Sequence, residues 1–132
     1  MEVYSPQSQT WSNLTNIPGE TGLRALSAVI QPDGIYILGG YDGASYVNTV
    51  SRYDTHEQEW KKMPPMNTAR GTFVAVSSRN FNYIYAIGGF NGSPMAHVER
   101  WDAMSNSWEY LSPMHNKRFM HAAVLASIER NK

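Results

Sequence analysis

The chain has 132 residues, 42% of them apolar, and its 11 Lys plus Arg balance its 11 Asp plus Glu. That apolar share is normal for a folded protein, and the zero net charge offers no general attraction for phosphate backbones or anionic lipid, so nucleic acid and membrane surfaces are not expected partners. Cysteine is absent, which excludes disulfides, thiolate metal sites and a cysteine nucleophile and fits a reducing compartment, here expected to be the cytoplasm.

No apolar run reaches the roughly 18 residues of a membrane span. The opening Met1-Glu2-Val3-Tyr4-Ser5-Pro6 has neither the basic segment nor the apolar stretch of a secretion signal. The triplet Asn13-Leu14-Thr15 fits a glycosylation sequon, and without such a signal it carries little weight.

Along the chain, a first piece at residues 1–17 carries Tyr4 and Trp11, which fall 49 residues before Tyr53 and Trp60. A second piece runs through Ile35-Tyr36, Gly39-Gly40, a loop with Gly43 and Tyr46, then Val50, Arg52, Asp54, Trp60 and Pro65-Met66. A third repeats it: Ile84-Tyr85, Gly88-Gly89 and Gly92 at a shift of 49, then Val98, Arg100, Asp102, Trp108 and Pro113-Met114 at a shift of 48. Such same-register matches mark an internal repeat. One extra residue between Gly43 and Val50 changes the shift.

The unit opening at Arg70 predicts four strands. Thr72–Val76 is a β-branched and small apolar run suited to burial on both faces. Tyr83–Ile87 follows and ends at Gly88-Gly89, and the loop Phe90-Asn91-Gly92-Ser93-Pro94 carries turn chemistry. His97–Trp101 alternates apolar and polar residues, residues 102–107 are a polar turn, and Trp108–Leu111 is the fourth strand. Nothing has sustained helical periodicity. Glycine weakens a strand interior, so each Gly-Gly must serve a positive φ, a close neighbour, or both. Tyr53, Trp60, Trp101 and Trp108 are the expected neighbours.

The order arginine, apolar strand, Ile-Tyr strand, Gly-Gly, Tyr, Trp, Met resembles the kelch repeat. On that resemblance residues 24–66 are one repeat and 70–114 a second. Residues 1–17 are the tail of an earlier repeat, with Ser5 where the others have Asp54 and Asp102, and residues 118–127 are the start of a further one. The polar tail 128–132 lacks the next Ile-Tyr-Gly-Gly strand. The resemblance implies an all-β fold, a kelch-type propeller of four-stranded antiparallel blades, here about 11 strands of an incomplete ring across residues 1–132. Propellers close with roughly four to eight blades, and open sheet edges invite self-association. The chain therefore reads as a slice of a longer propeller, or as a protomer closing a ring with copies of itself.

His56, His97, His115 and His121 are scattered over a turn, a strand, a loop and a strand, where a metal needs converging ligands. Asp54, Glu57, Glu59, Asp102 and Glu109 fall in turns or on exposed strand faces, with no paired carboxylates for acid–base work. No phosphate-binding glycine loop is present. No catalytic residue, metal or cofactor is expected. The repeating Trp and Tyr residues read as blade packing. Arg24, Arg70 and Arg118 recur at one repeat position and read as structural anchors before ligand contacts.

The resemblance implies a protein-interaction module whose partner meets two sets of loops. The loops after Gly-Gly give Tyr41, Asp42, Ser45 and Tyr46, then Phe90, Asn91 and Met95. The loops entering each inner strand give Arg70 and Gly71, then Arg118 and Phe119. Tyr46 stands out because it lies where the repeats diverge, and loop aromatics anchor partners. The closest likeness is to the kelch region of adaptors for cullin ubiquitin ligases, in which a separate BTB domain engages the cullin. Actin binding is the alternative within the family. An enzyme is the least favoured reading, since the copper oxidases among such propellers need a Tyr–Cys crosslink and this chain has no Cys.

Overall fold

The computed structural model describes residues 1–17 and 22–127, and ten strands and no helix form among them. Strands β1 (Glu2–Ser5) and β2 (Thr10–Asn13) make a hairpin. Strands β3 (Ser27–Gln31), β4 (Gly34–Tyr41), β5 (Tyr46–Asp54) and β6 (Glu59–Met63) form one antiparallel four-stranded sheet in sequence order. Strands β7 (Val74–Ser77), β8 (Tyr83–Ile87), β9 (Val98–Asp102) and β10 (Ser107–Leu111) form a second. The result is an incomplete propeller: an outer hairpin, two whole blades and no closed ring.

The eleventh strand expected over 118–127 does not form. In each whole sheet the innermost strand bonds only to the strand that follows it, β3 to β4 and β7 to β8. Segment 118–127 has no such strand after it among the described residues. Strand β7 also starts later than the apolar run suggests. Thr72 lies at φ 49°, and its N–H leaves the sheet to donate to the Ala25 carbonyl of the preceding one.

Alternation decides which side chains enter the core. In β8, Ile84 and Ala86 are buried while Tyr83, Tyr85 and Ile87 are half-buried. In β3, Val29 and Gln31 are buried while Ala28 and Ile30 are exposed. Val29, Tyr36, Leu38 and Val50 of one sheet meet Phe73, Ala75, Ile84, Ala86 and Trp101 of the next in a single cluster, with Met66 between them. Fully buried side chains such as Leu38 and Ile84 contribute roughly 1.5–3 kcal/mol each. Two hydrogen bonds cross directly between the sheets: Ala75 N donates to Ser27 Oγ at 2.9 Å and Ser77 Oγ to the Ile30 carbonyl at 3.0 Å.

The outer hairpins turn on the repeated aspartate. Asp54 Oδ1 accepts from the N–H groups of His56 and Glu57 at 3.0 and 3.1 Å, and Asp102 Oδ1 from Met104 at 2.8 Å. At Ser5 the same contact is a long 3.5 Å bond from Ser8 N. Inside each hairpin Tyr53 lies opposite Trp60 and Trp101 opposite Trp108. The indoles look backward along the chain: Trp60 Nε1 donates to the Thr15 carbonyl at 3.3 Å and Trp108 Nε1 to that of Pro64 at 3.0 Å. These tryptophans therefore tie each sheet to the segment before it. They are not the close neighbours of the double glycines.

Those neighbours are backbone carbonyls, the Phe73 and His121 side chains, and methionines. A Cβ on Gly39 would sit 2.5 Å from the Arg70 carbonyl oxygen and 3.0 Å from Met66 Cε, and one on Gly88 would sit 2.6 Å from the Arg118 carbonyl oxygen and 3.0 Å from Met114 Cε. Both glycines also hold positive φ, 54° and 61°. Only a residue without Cβ satisfies both conditions.

Candidate functional site

The double glycines fix one end of each sheet, and there the loops of successive repeats come together. Gly40 N donates to the Arg70 carbonyl and Arg70 N to that of Val47; one repeat later Gly89 N donates to the Arg118 carbonyl and Arg118 N to that of Met95. Each arginine backbone thus clips onto the sheet before it.

The Arg70 side chain goes the other way, into its own sheet, and is fully buried. Its Nη1 donates to the carbonyls of Gly88 at 2.8 Å and His97 at 3.1 Å, and its Nη2 to Glu99 Oε1 at 2.7 Å. Glu99, equally buried, also accepts from the N–H groups of Asn67 and Thr68 at 2.6 and 2.9 Å. One buried ion pair therefore joins the loop after β6 to strands β8 and β9. Burial pulls the Arg70 guanidinium below its usual pKa, and the Glu99 charge opposes that shift.

Arg24 does not occupy this place, contrary to the expectation that the three arginines are equivalent. Arg24 exchanges backbone hydrogen bonds with Tyr41, and Gly71 exchanges the matching pair with Phe90. Arg24 is thus the counterpart of Gly71, and the counterpart of Arg70 is Leu23. The sheet positions agree: Glu99 lies opposite Ala86 in β8, and Ser51 lies opposite Ile37 in β4. The second repeat buries Arg and Glu where the first has Leu and Ser. Freed from the interior, the Arg24 guanidinium lies 4.8 Å over the Tyr41 ring.

From Arg24 a row of rings runs across both sheets at this end. Tyr41 and Tyr46 are 5.1 Å apart edge to face, Tyr46 and Phe90 5.7 Å, and Phe90 and Phe119 5.4 Å. Each spacing is within the range of favourable aromatic pairs. Tyr46 seats on Gly71, where an added Cβ would lie 2.8 Å from the ring. Arg24, Ala25, Tyr41 and Tyr46 enclose a groove of about 350 Å³ at the head of this row.

The predicted loop residues divide accordingly. Tyr41, Tyr46, Phe90 and Phe119 form the row, and Asn91 and Arg118 lie exposed beside it. Asp42 and Ser45 shape the loop: Asp42 Oδ1 accepts from the N–H groups of Ser45 and Ala44, both at 2.8 Å, which holds its carboxyl below the usual range. Arg70, Gly71 and Met95 are buried, so they support this face and do not present side chains to a partner. The reasons are the Glu99 pair for Arg70 and the Tyr46 ring for Gly71. Sequence reasoning missed Glu99 at this end and read Arg24 as a structural anchor equivalent to Arg70. The signal for Glu99 was a charge in an otherwise half-apolar strand, 48 residues after Ser51.

Comparison with known proteins agrees with this repeat. Residues 23–67 and 82–115 match the model of the Kelch motif family. Over 114 residues the chain is 31% identical to mouse (Mus musculus) Kelch-like protein 35, an alignment covering 86% of this chain and 19% of that protein. It is 31% identical over 134 residues to Kelch-like protein 38 of Homo sapiens, covering 97% and 22%, and 38% identical over 77 residues to human Kelch-like protein 4, covering 58% and 10%. The chain spans about a fifth or less of the length of these relatives. With the Gly-Gly clips, the outer Trp ties and the family match falling on the same residues, this chain belongs to the kelch-repeat family and resembles its BTB-kelch members.

Proposed function

We propose that the chain is part of a substrate-recognition surface, non-catalytic and cytoplasmic, in an adaptor for a cullin-type ubiquitin ligase. The observation that carries this reading is the ring row from Tyr41 through Tyr46 and Phe90 to Phe119, headed by Arg24. Aromatic and arginine side chains dominate the energetics of protein interfaces. A row that crosses from one repeat to the next suits an elongated partner segment better than a small molecule. The likeness to kelch-like proteins supports the adaptor role in particular. An actin-binding scaffold is the alternative within the family.

The test uses the natural full-length protein with and without Tyr46→Ala and, separately, Phe119→Ala. A substrate reader loses roughly tenfold or more of its retained partner and of that partner's ubiquitin conjugates in either variant. Thermal melts run alongside, because Tyr46 also covers Gly71, whereas Phe119 lies at the open end of the row. Unchanged retention in both folded variants defeats the loop-face reading. Co-sedimentation with actin filaments, without ubiquitin conjugation, favours the scaffold.

A further inference from the structure

The loop after β8 carries the chain's one Asn-Gly dipeptide, Asn91-Gly92. Its counterpart one repeat earlier, at the shift of 49 that aligns Gly43 with Gly92, is Asp42-Gly43. The two loops are built differently. The Asp42 carboxylate is held by the N–H groups of Ala44 and Ser45, both at 2.8 Å. The second loop is one residue shorter, and it rejoins Phe90 at Pro94, which has no N–H to offer. Asn91, Gly92 and Ser93 are all exposed, and a Cβ on Gly92 would meet nothing within 4 Å. Among the described residues neither the Asn91 carboxamide nor the Gly92 N–H has a hydrogen-bond partner. Other asparagines are tied down: Asn48 Nδ2 donates to the Met66 carbonyl at 2.8 Å, Asn67 Nδ2 to that of Trp108 at 3.2 Å, and Asn80 Oδ1 accepts from Ser78 Oγ at 2.7 Å.

An asparagine followed by a residue without a side chain is open to attack by that residue's backbone. The Gly92 nitrogen gives up its proton to hydroxide and bonds to Asn91 Cγ. The Cγ–Nδ2 bond breaks, and the amide nitrogen leaves as ammonia, taking a proton from water. The product is a cyclic succinimide, which water then opens at either carbonyl. Breaking the bond from Gly92 N to Cγ gives aspartate, and breaking the bond from Gly92 N to the main-chain carbonyl carbon gives isoaspartate. Nothing is oxidised or reduced, and water is the only co-reactant. The missing Cβ at Gly92, its free N–H and the untethered carboxamide all favour the first step.

We propose that Asn91 is a site of self-modification, converted through this succinimide to isoaspartate and aspartate, and that the change resets the ring row beside it. Both products add a negative charge in a loop without the pair of donors that holds Asp42. Isoaspartate also lengthens the main chain by one methylene, and this loop is closed at both ends. Phe90 exchanges hydrogen bonds of 2.9 and 3.0 Å with Gly71, and Met95 N donates to the Gly89 carbonyl at 2.9 Å. The added length falls on Phe90, which packs between Tyr46 and Phe119. The proposal does not depend on what that face binds.

The test ages the 132-residue chain at mildly acid and mildly alkaline pH and follows each asparagine by peptide mass spectrometry. Asn91 should exchange its amide NH2 for OH several-fold faster than the exposed Asn106 and Asn116, and faster at the alkaline pH. Asn91→Gln, whose longer side chain disfavours the ring closure, should stop the reaction. A blocked peptide of sequence Phe-Asn-Gly-Ser-Pro serves as the unrestrained reference. In NMR spectra the ring resonances of Tyr46, Phe90 and Phe119 should move further in the isoaspartate form than in Asn91→Asp. A folded chain whose Asn91 outlasts the peptide several-fold, or reacts no faster than Asn106, overturns the site. Ring resonances placed alike in the isoaspartate form and the unaged chain overturn its effect on the row.

Discussion

Arg70 and Glu99 hold opposite charges at zero exposure, with five hydrogen bonds of 3.1 Å or less between them and the surrounding groups. Removing one member of such a pair leaves the other buried and uncompensated, which costs roughly 3–5 kcal/mol. Arg70→Leu is therefore expected to destabilise the fold by about that amount, read as a drop in denaturation midpoint. The first repeat already carries the alternative, Leu23 with Ser51. The double variant Arg70→Leu with Glu99→Ser should recover part of the loss, and a double variant worse than the sum of the singles would refute the account. Gly40 is a second such position. It holds φ 111°, and a Cβ there would lie 2.8 Å from the Arg24 carbonyl oxygen. Strain and overpacking together make Gly40→Val cost about 2–6 kcal/mol; thermal melts against Gly43→Val, which shares the strain at φ 102° but has nothing within 4 Å, will measure the overpacking part.

At the scale of the elements, the strands were legible where the signal was local. Tyr83–Ile87 is a strand with the bounds the sequence predicts, ending at Gly88-Gly89, and Gly39 and Gly88 stand where the backbone demands glycine. What was not legible depended on contacts between repeats. The three arginines line up in the sequence, yet only the hydrogen bonds from Tyr41 and Phe90 reveal that Arg24 matches Gly71. The strand expected after Arg118 does not form, and no ladder partner for it stands among the described residues. The surface row was half legible: its aromatic residues were named, but Arg70, Gly71 and Met95 were placed beside them and are buried. The β3–β4 turn gives a test of how tightly an element's end is built. Tyr36, 1% exposed and donating to Asp33, has its phenol pushed from 10.0 up to about 12, first by burial and then by the Asp33 charge. A raised phenol pKa means that the folded state holds its proton longer than the unfolded state. Its stabilising contribution is complete below pH 10 and is lost as the pH rises toward 12. Ultraviolet titration should show one tyrosine ionising near pH 12, and its stability loss in that window should vanish in Tyr36→Phe. Loss at the same rate in the variant would remove Tyr36 as the cause.

For the whole molecule, the decisive fact is that sheets of this kind stack face to face. The inner faces meet through Leu38, Met66, Phe73 and Ile84. Among the described residues, nothing covers the two ends of the stack. At one end the hairpin β1–β2 leaves Val3, Tyr4 and Trp11 exposed, and a lone two-stranded hairpin is marginal in water. At the other, segment 118–127 leaves Met120 at 78% and Val124 at 86% exposure. Apolar surface of this sort drives association, and a partner copy is the nearest source of matching surface. The 132-residue chain is therefore expected to self-associate, its apparent mass in light scattering rising with concentration. Met120→Lys with Val124→Lys places charge on one face without touching the core and should weaken that association by about tenfold or more, the equivalent of roughly 1.4 kcal/mol. The same pair of changes should leave the melting temperature at high dilution unaltered. A compact monomer at every concentration would mean that the chain's own loops cover both faces in solution, and the stacked-sheet account of its ends would have to be abandoned.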